Sequence, residues 1–154
     1  MNIKRFRKDA TLPERKTDGS VGYDLCSCVD YHRDWAGTAV VDPFTGDMRR
    51  ANHEGVILIP LGWGFEIPPG HVGILAPRSS TNHWLLTGYI DPDYRGEVFA
   101  KTTSNLLLNA RPTFKAGDRI AQLIIVPVVT PVLVEVDSLS ETARGAGGNG
   151  STGR

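Results

Sequence analysis

VILIPLGWGFEIPPGHVGILAP, residues 56–77, is the stretch on which the fold class turns. It holds three apolar runs, VILIP (56–60), GFEIP (64–68) and HVGILAP (71–77), each about the length of a strand. PLGWG and PPG stand between them. Glycine admits positive φ and proline fixes its own φ, so these are turns rather than continuations. The same grammar runs on through GEVFA (96–100) and RIAQLIIVPVV (119–129), with DPDYRG and KAGD as punctuation. No stretch sustains a 3.6-residue apolar period, and the best helical candidate is a turn or two near Ser79–Leu85. Many short strands joined by turns predict an all-β chain: a sandwich, jelly roll or barrel.

Outward from that stretch, the 154 residues suit one domain. A chain of this size buries about 70% of its unfolded surface, enough for a core without staples. Residues 1–137 read as the folded body. Residues 30–54 are polar and read as a surface excursion, with DPFTGD (42–47) as the turn of a hairpin. Residues 138–154 are rich in Gly, Ser and Thr and cannot bury a core, so they read as a mobile arm. Seventeen basic residues balance seventeen acidic ones, which argues against a nucleic-acid partner. No apolar run approaches a membrane span, and the N-terminus lacks an apolar signal core. The expectation is a soluble, cytoplasmic protein with no membrane partner. Cys26 and Cys28 are too close in sequence to bridge and too few for a tetrahedral metal, so they read as reduced core thiols.

Three segments carry residues suited to chemistry. In APRSST (76–81), Arg78, Ser79 and Ser80 follow the end of a strand. They make either an anion site or a capped, solvated turn. In GYIDPDYRGEV (88–98), Asp91 and Tyr94 lie three apart across a turn, with apolar Ile90 beside the acid. That carboxylate is either a water-activating base or a turn former, as Asp93 also is. In the arm, four glycines fall within six residues of Arg144. Glycine backbones can form an N–H nest for an anion, but the lysine of a standard nucleotide loop is missing.

In order, VGYDL (21–25), APRSS (76–80), GYIDPDYRGEV (88–98), AGDRIAQLII (116–125) and RGAGGNGSTG (144–153) resemble the five motifs of the trimeric dUTPase family. The resemblance implies a distorted jelly-roll (β-clip) subunit, a homotrimer, and active sites built at subunit interfaces. It implies hydrolysis of dUTP to dUMP and pyrophosphate, with Mg2+ on the phosphates. By the same resemblance Asp91 matches the acid that deprotonates the attacking water. Tyr94 matches the ring under the deoxyribose, which excludes a 2′-hydroxyl. Backbone groups of Tyr89, Ile90 and Asp91, and near Phe99, match those that read the uracil edge. Arg78, Ser79 and Ser80 match the phosphate cluster. Asp24, through water on the metal, and Gln122 match positions that organise the metal's shell and the phosphates. Arg144, with Gly148 and Gly150, matches the arm that clamps the γ-phosphate.

The chain departs from the family pattern in three places. Leu85 stands where an asparagine commonly helps read uracil, and Asn149 stands where the arm carries a stacking aromatic. Trp84 is a nearby ring that either compensates or belongs to the core. The excursion 30–54 is the third departure, as a lid, a trimer contact or a hairpin for a protein partner. Rival readings follow. A dCTP deaminase would need a glutamate where Lys101 stands, and Glu97 lies too near the turn. A relaxed pyrimidine triphosphatase acting on dCTP or modified dUTP, and a trimeric regulatory protein signalling through 30–54, remain open.

Overall fold

The computed structural model describes residues 1–30, 40–41, 48–49, 56–103 and 114–147. Among these, ten strands and no helix occur, as the turn-punctuated runs predict. They are β1 (Ile3–Arg5), β2 (Tyr23–Cys26), β3 (Val40–Val41), β4 (Met48–Arg49) and β5 (Val56–Pro60). β6 (Trp63–Phe65), β7 (His71–Pro77), β8 (Gly88–Ile90), β9 (Phe99–Thr103) and β10 (Arg119–Pro127) complete the set. Every pair is antiparallel: β1 with β6, β3 with β4, β5 with β9, and a four-stranded sheet ordered β2-β10-β7-β8.

Small sheets of this kind wrap one core in the manner of a distorted jelly roll. Leu25, Leu61, Ile67, Ile120 and Leu123 are almost completely buried at its centre. Alternation explains the choice of residues along β9: Ala100 and Thr102 face inward while Lys101 is exposed. Burying a Leu or Ile side chain stabilises by about 1.5–3 kcal/mol, and Trp63, Phe65, Trp84 and Phe114 add aromatic bulk to the same core.

The runs VILIP and HVGILAP coincide with β5 and β7, while the others shift. β9 begins three residues after GEVFA does, because residues 96–98 make other bonds first. Tyr94 Oη donates to the Glu97 carbonyl, and the Val98 N–H donates to Trp63 O at 2.8 Å. β10 stops at Pro127, two residues short of the run RIAQLIIVPVV. The turns expected near Ser79–Leu85 are present without closing into a helix. Their pivot is Thr81, not Ser80: its buried hydroxyl donates to Ile120 O and accepts from the Arg78 N–H, each at 2.8 Å.

In the excursion, Val40 pairs Arg49 and Val41 pairs Met48, which brackets DPFTGD as the hairpin reading requires; residues 42–47 themselves lie outside the described set. Cys26 and Cys28 are free thiols, one buried and one half-buried. Burial raises both, Cys28 to about 11. Among the described residues no helix is long and apolar enough to cross a membrane.

Candidate active site

Two depressions take up half of the residues singled out from the sequence, and among the described residues they share no lining side chain. The first lies against the β8–β9 hairpin and encloses about 420 Å³. Tyr89, Ile90, Asp91, Tyr94 and Phe99 line it, with Lys101 further along β9. Local sequence explains the hairpin. Ile90 is buried and anchors the end of β8, and the next residue, Asp91, is exposed. The Asp91 carbonyl accepts the Tyr94 N–H at 3.2 Å, closing the turn that Pro92 and Asp93 occupy.

The Tyr94 ring is fixed from two sides. Its hydroxyl donates to the Glu97 carbonyl at 2.8 Å. Gly96 supplies the space, since a Cβ there would stand 2.4 Å from Tyr94 Oη. Glu97 is held in turn: its carboxylate accepts Arg7 Nε at 2.5 Å and the Gly62 N–H at 3.0 Å. Arg7 thus braces the segment before β9 to which the tyrosine hydroxyl is tied.

The second depression, of about 430 Å³, is lined by Arg78, Ser80, His83, Asp118 and Arg119 among others. Ser79 and Ser80 are exposed. Behind them Asp24 on β2 is flanked by two guanidinium groups, Arg78 Nη1 at 2.7 Å and Arg119 Nη1 at 3.2 Å. The first of these approaches off the hydrogen-bonding axis, so the buried Arg78 Nη1 makes no hydrogen bond among the described residues. The Asp24 carboxylate still balances its charge at that distance. Gln122 Nε2 donates to Pro77 O at 3.2 Å. A Cβ on Gly22 would stand 2.6 Å from Gln122 Oε1, which is why VGYDL has glycine there. Arg119 is the member of this cluster that the motif reading passed over. It sits in the same AGDRIAQLII segment as Gln122, but its pairing to Asp24 across β2 and β10 is a tertiary fact.

Distance separates the two depressions. In the β7–β8 register Gly73 pairs Ile90, so Asp91 falls beside Val72, while Arg78 follows the far end of β7. Six residues of strand place them roughly 20 Å apart. Trp84 stacks on Phe114 with ring centroids 5.3 Å apart and is buried, as is Leu85. Both belong to the core, and neither reaches the hairpin cavity. Arg144 lies in neither depression; its Nε donates to Gly147 O at 2.9 Å in an exposed local turn. Gly148, Asn149 and Gly150 fall outside the described residues. No group of three His, Cys, Asp or Glu side chains among the described residues is placed to hold a metal.

The dUTPase family model matches residues 8–153. A deoxyuridine 5'-triphosphate nucleotidohydrolase of Paramecium bursaria Chlorella virus 1 is 38% identical over 158 residues, covering 98% of this chain and 96% of that protein. The dUTPase of Staphylococcus bacteriophage 80alpha, solved with dUPNHPP, superposes with a TM-score of 0.75 at 25% identity, covering 99% and 98% of the two chains. A mutant dUTPase from phage phi11 of S. aureus, whose structure describes the coordination of a structural Mg(II) ion, superposes with a TM-score of 0.64 at 22% identity, covering 89% and 96%.

Proposed function

The chain belongs to the dUTPase family, and on that footing we propose that it hydrolyses dUTP to dUMP and pyrophosphate at a site completed by neighbouring copies of itself. One observation carries the reading: the Asp91–Tyr94 hairpin and the Arg78–Asp24–Arg119 cluster lie at opposite ends of β7. Six residues of strand put the backbone positions of Asp91 and Arg78 roughly 20 Å apart, so a nucleotide seated at the hairpin meets Arg78 of its own chain only at full side-chain reach. A second subunit, presenting its Arg78 end to the first subunit's hairpin, removes the gap.

Assembly has independent support. Beyond β10 the chain carries PVLVEV with its apolar side chains turned to solvent, Val132 at 89% and Leu133 at 93% exposure. Apolar residues concentrated to that degree mark a subunit contact. A homotrimer is the assembly we assign. In it the Gly-rich arm, with Arg144, Gly148, Asn149 and Gly150, closes over the triphosphate and excludes water. Residues 1–137 form the body in this reading and 138–154 the arm.

At the joined site each residue has one task. Asp91 accepts a proton from the water that attacks the α-phosphorus, and such general-base help is worth about 10²–10⁴-fold. Pyrophosphate leaves as the P–O bond opposite the water breaks. Main-chain groups of Tyr89, Ile90 and Phe99 meet the base, and the Tyr94 ring sits under the sugar. Arg78 turns its unsatisfied N–H toward phosphate oxygen, with Ser79, Ser80 and Gln122 beside it. Asp24 keeps that guanidinium aimed, with Arg119 on its other oxygen.

The donor set suits a metal that arrives on the phosphates rather than one held in a protein cage. Asp24, occupied by two guanidinium groups, would meet Mg2+ through water, a mode this hard cation favours. Mg2+ so bound supplies charge neutralisation and fixes one triphosphate conformer. Incubation with dUTP, dCTP and UTP in turn, scoring pyrophosphate and ammonia separately, tests the reading. Pyrophosphate from dUTP without ammonia is expected. Asp91→Asn should abolish turnover, by about 10²-fold or more, while nucleotide still binds in calorimetry. Ammonia release, or an Asp91→Asn variant that keeps its rate, overturns it.

A further inference from the structure

The cavity beside the hairpin is walled mainly by apolar side chains, Leu58, Leu75 and Val98 among them. Recognition of a base edge there falls to whichever polar groups are free to turn inward. Of the polar side chains on its wall, Tyr94 already donates its hydroxyl hydrogen bond to the Glu97 carbonyl. The Glu97 carboxylate is held by Arg7 and the Gly62 N–H. Tyr89, Asp91 and Lys101 are all exposed at the cavity's open side, Tyr89 and Asp91 on the β8 side and Lys101 on β9 beyond Phe99. Lys101 remains. Its ammonium makes no hydrogen bond or ion pair among the described residues.

The placement of Lys101 follows from β9. Phe99 and Lys101 lie on one side of the strand, with Ala100 and Thr102 in the core between and beyond them. Lys101 pairs Leu58 and stands about 6–7 Å further from the hairpin turn than Phe99 does. With the sugar at Tyr94 and the ring against the Phe99 main chain, that end of the cavity faces the part of the pyrimidine remote from the glycosidic nitrogen. The ring atom opposite that nitrogen is C4. Uracil carries an acceptor oxygen there and cytosine a donor amino group.

We propose that Lys101 is the specificity-determining side chain of this site, donating a charge-assisted hydrogen bond to the 4-oxygen of uracil and repelling the 4-amino group of cytosine. The inference rests on reading the hairpin cavity as the base site. With Leu85 and Trp84 in the core, the side-chain donor on this reading comes from β9 instead. The contact is selective by donor pattern: a 4-oxygen accepts from an ammonium, whereas a 4-amino group meets it donor to donor.

The test compares kcat/KM for dUTP and dCTP in wild type, Lys101→Met and Lys101→Arg. The wild type should prefer dUTP, and Lys101→Met should lose about ten- to a hundredfold of that preference, chiefly through KM for dUTP. Lys101→Arg, which keeps a cationic donor, should retain most of it. The wild type offers a second readout that needs no variant: a deoxynucleotide whose pyrimidin-2-one base lacks any 4-substituent should bind more weakly than dUMP by a similar factor. A Lys101→Met preference within about twofold of wild type overturns the assignment, as does a wild type indifferent to loss of the 4-oxygen. Those results leave dUTP hydrolysis standing. A wild type that cleaves neither nucleotide overturns the reading of the site and the role of Lys101 with it.

Discussion

Gly96 lacks a side chain because the Tyr94 hydroxyl occupies the place where one would stand, 2.4 Å from the position of a Cβ. Gly96→Ala must therefore displace the ring or its hydrogen bond to Glu97. If the ring is what rejects a 2′-hydroxyl, discrimination of dUTP over UTP should fall about tenfold or more, the loss expected when a steric element of a pocket moves. Comparing kcat/KM for the two nucleotides reads it, and unchanged discrimination would remove Tyr94 from that role. Cys28 gives a prediction in pH. Burial raises its thiol to about 11 from an ordinary 9.0, so the folded state keeps a proton that the unfolded chain releases. That contribution is complete below pH 9 and is lost as pH rises towards 11. Tm should fall across this window, and less steeply in Cys28→Ala; parallel curves would contradict it. At this scale Asp91, Tyr94 and Arg78 stood out through the resemblance to the dUTPase motifs, since residue type and spacing alone also fit a turn former and a capped turn. Thr81 did not: Ser79, Ser80 and Thr81 are three adjacent hydroxyls, and only the packing of Ile120 selects the third. Arg119 and Lys101 were hidden for a like reason, since their significance comes from partners across a sheet or from the lack of them.

Elements were legible to the extent that they follow period-two alternation and turn chemistry. β5 and β7 begin and end where Pro and Gly dictate. β9 does not, because Glu97 is committed to Arg7 and Gly62, contacts 90 and 35 residues away in sequence. PVLVEV (131–136) is rich in β-branched residues and joins no strand pair of its own chain among the described residues. A strand-like run without a partner is what an exchanged or docked element looks like from inside one subunit. Placing charge there, as Val132→Asp with Leu133→Asp, should shift the assembly towards monomers in sedimentation velocity and lower turnover in step. Truncation before Arg144 should behave differently, lowering turnover sharply with the assembly intact. A double variant that stays fully assembled would show that PVLVEV is not the contact.

For the whole molecule, the governing fact is that β7 holds its two chemical ends apart. The hairpin brings a carboxylate and a ring to one end, and β2 and β10 bring Asp24, Gln122 and Arg119 to Arg78 at the other. On the proposed reading, the base and the phosphate grip fall at different ends. Homotypic assembly with closed symmetry is the ordinary way for such a chain to complete a site. The most direct measurement mixes two inactive variants, Asp91→Asn and Arg78→Gln, under conditions where subunits exchange. Each lacks one end of the site, so mixed assemblies contain junctions with an intact Asp91 facing an intact Arg78. At equal proportions about a quarter of the junctions in a cyclic assembly should be restored, and dUTP turnover should recover to that order. Subunits that exchange fully and recover no activity at any ratio would place the acid and the phosphate grip within a single chain, contrary to this account.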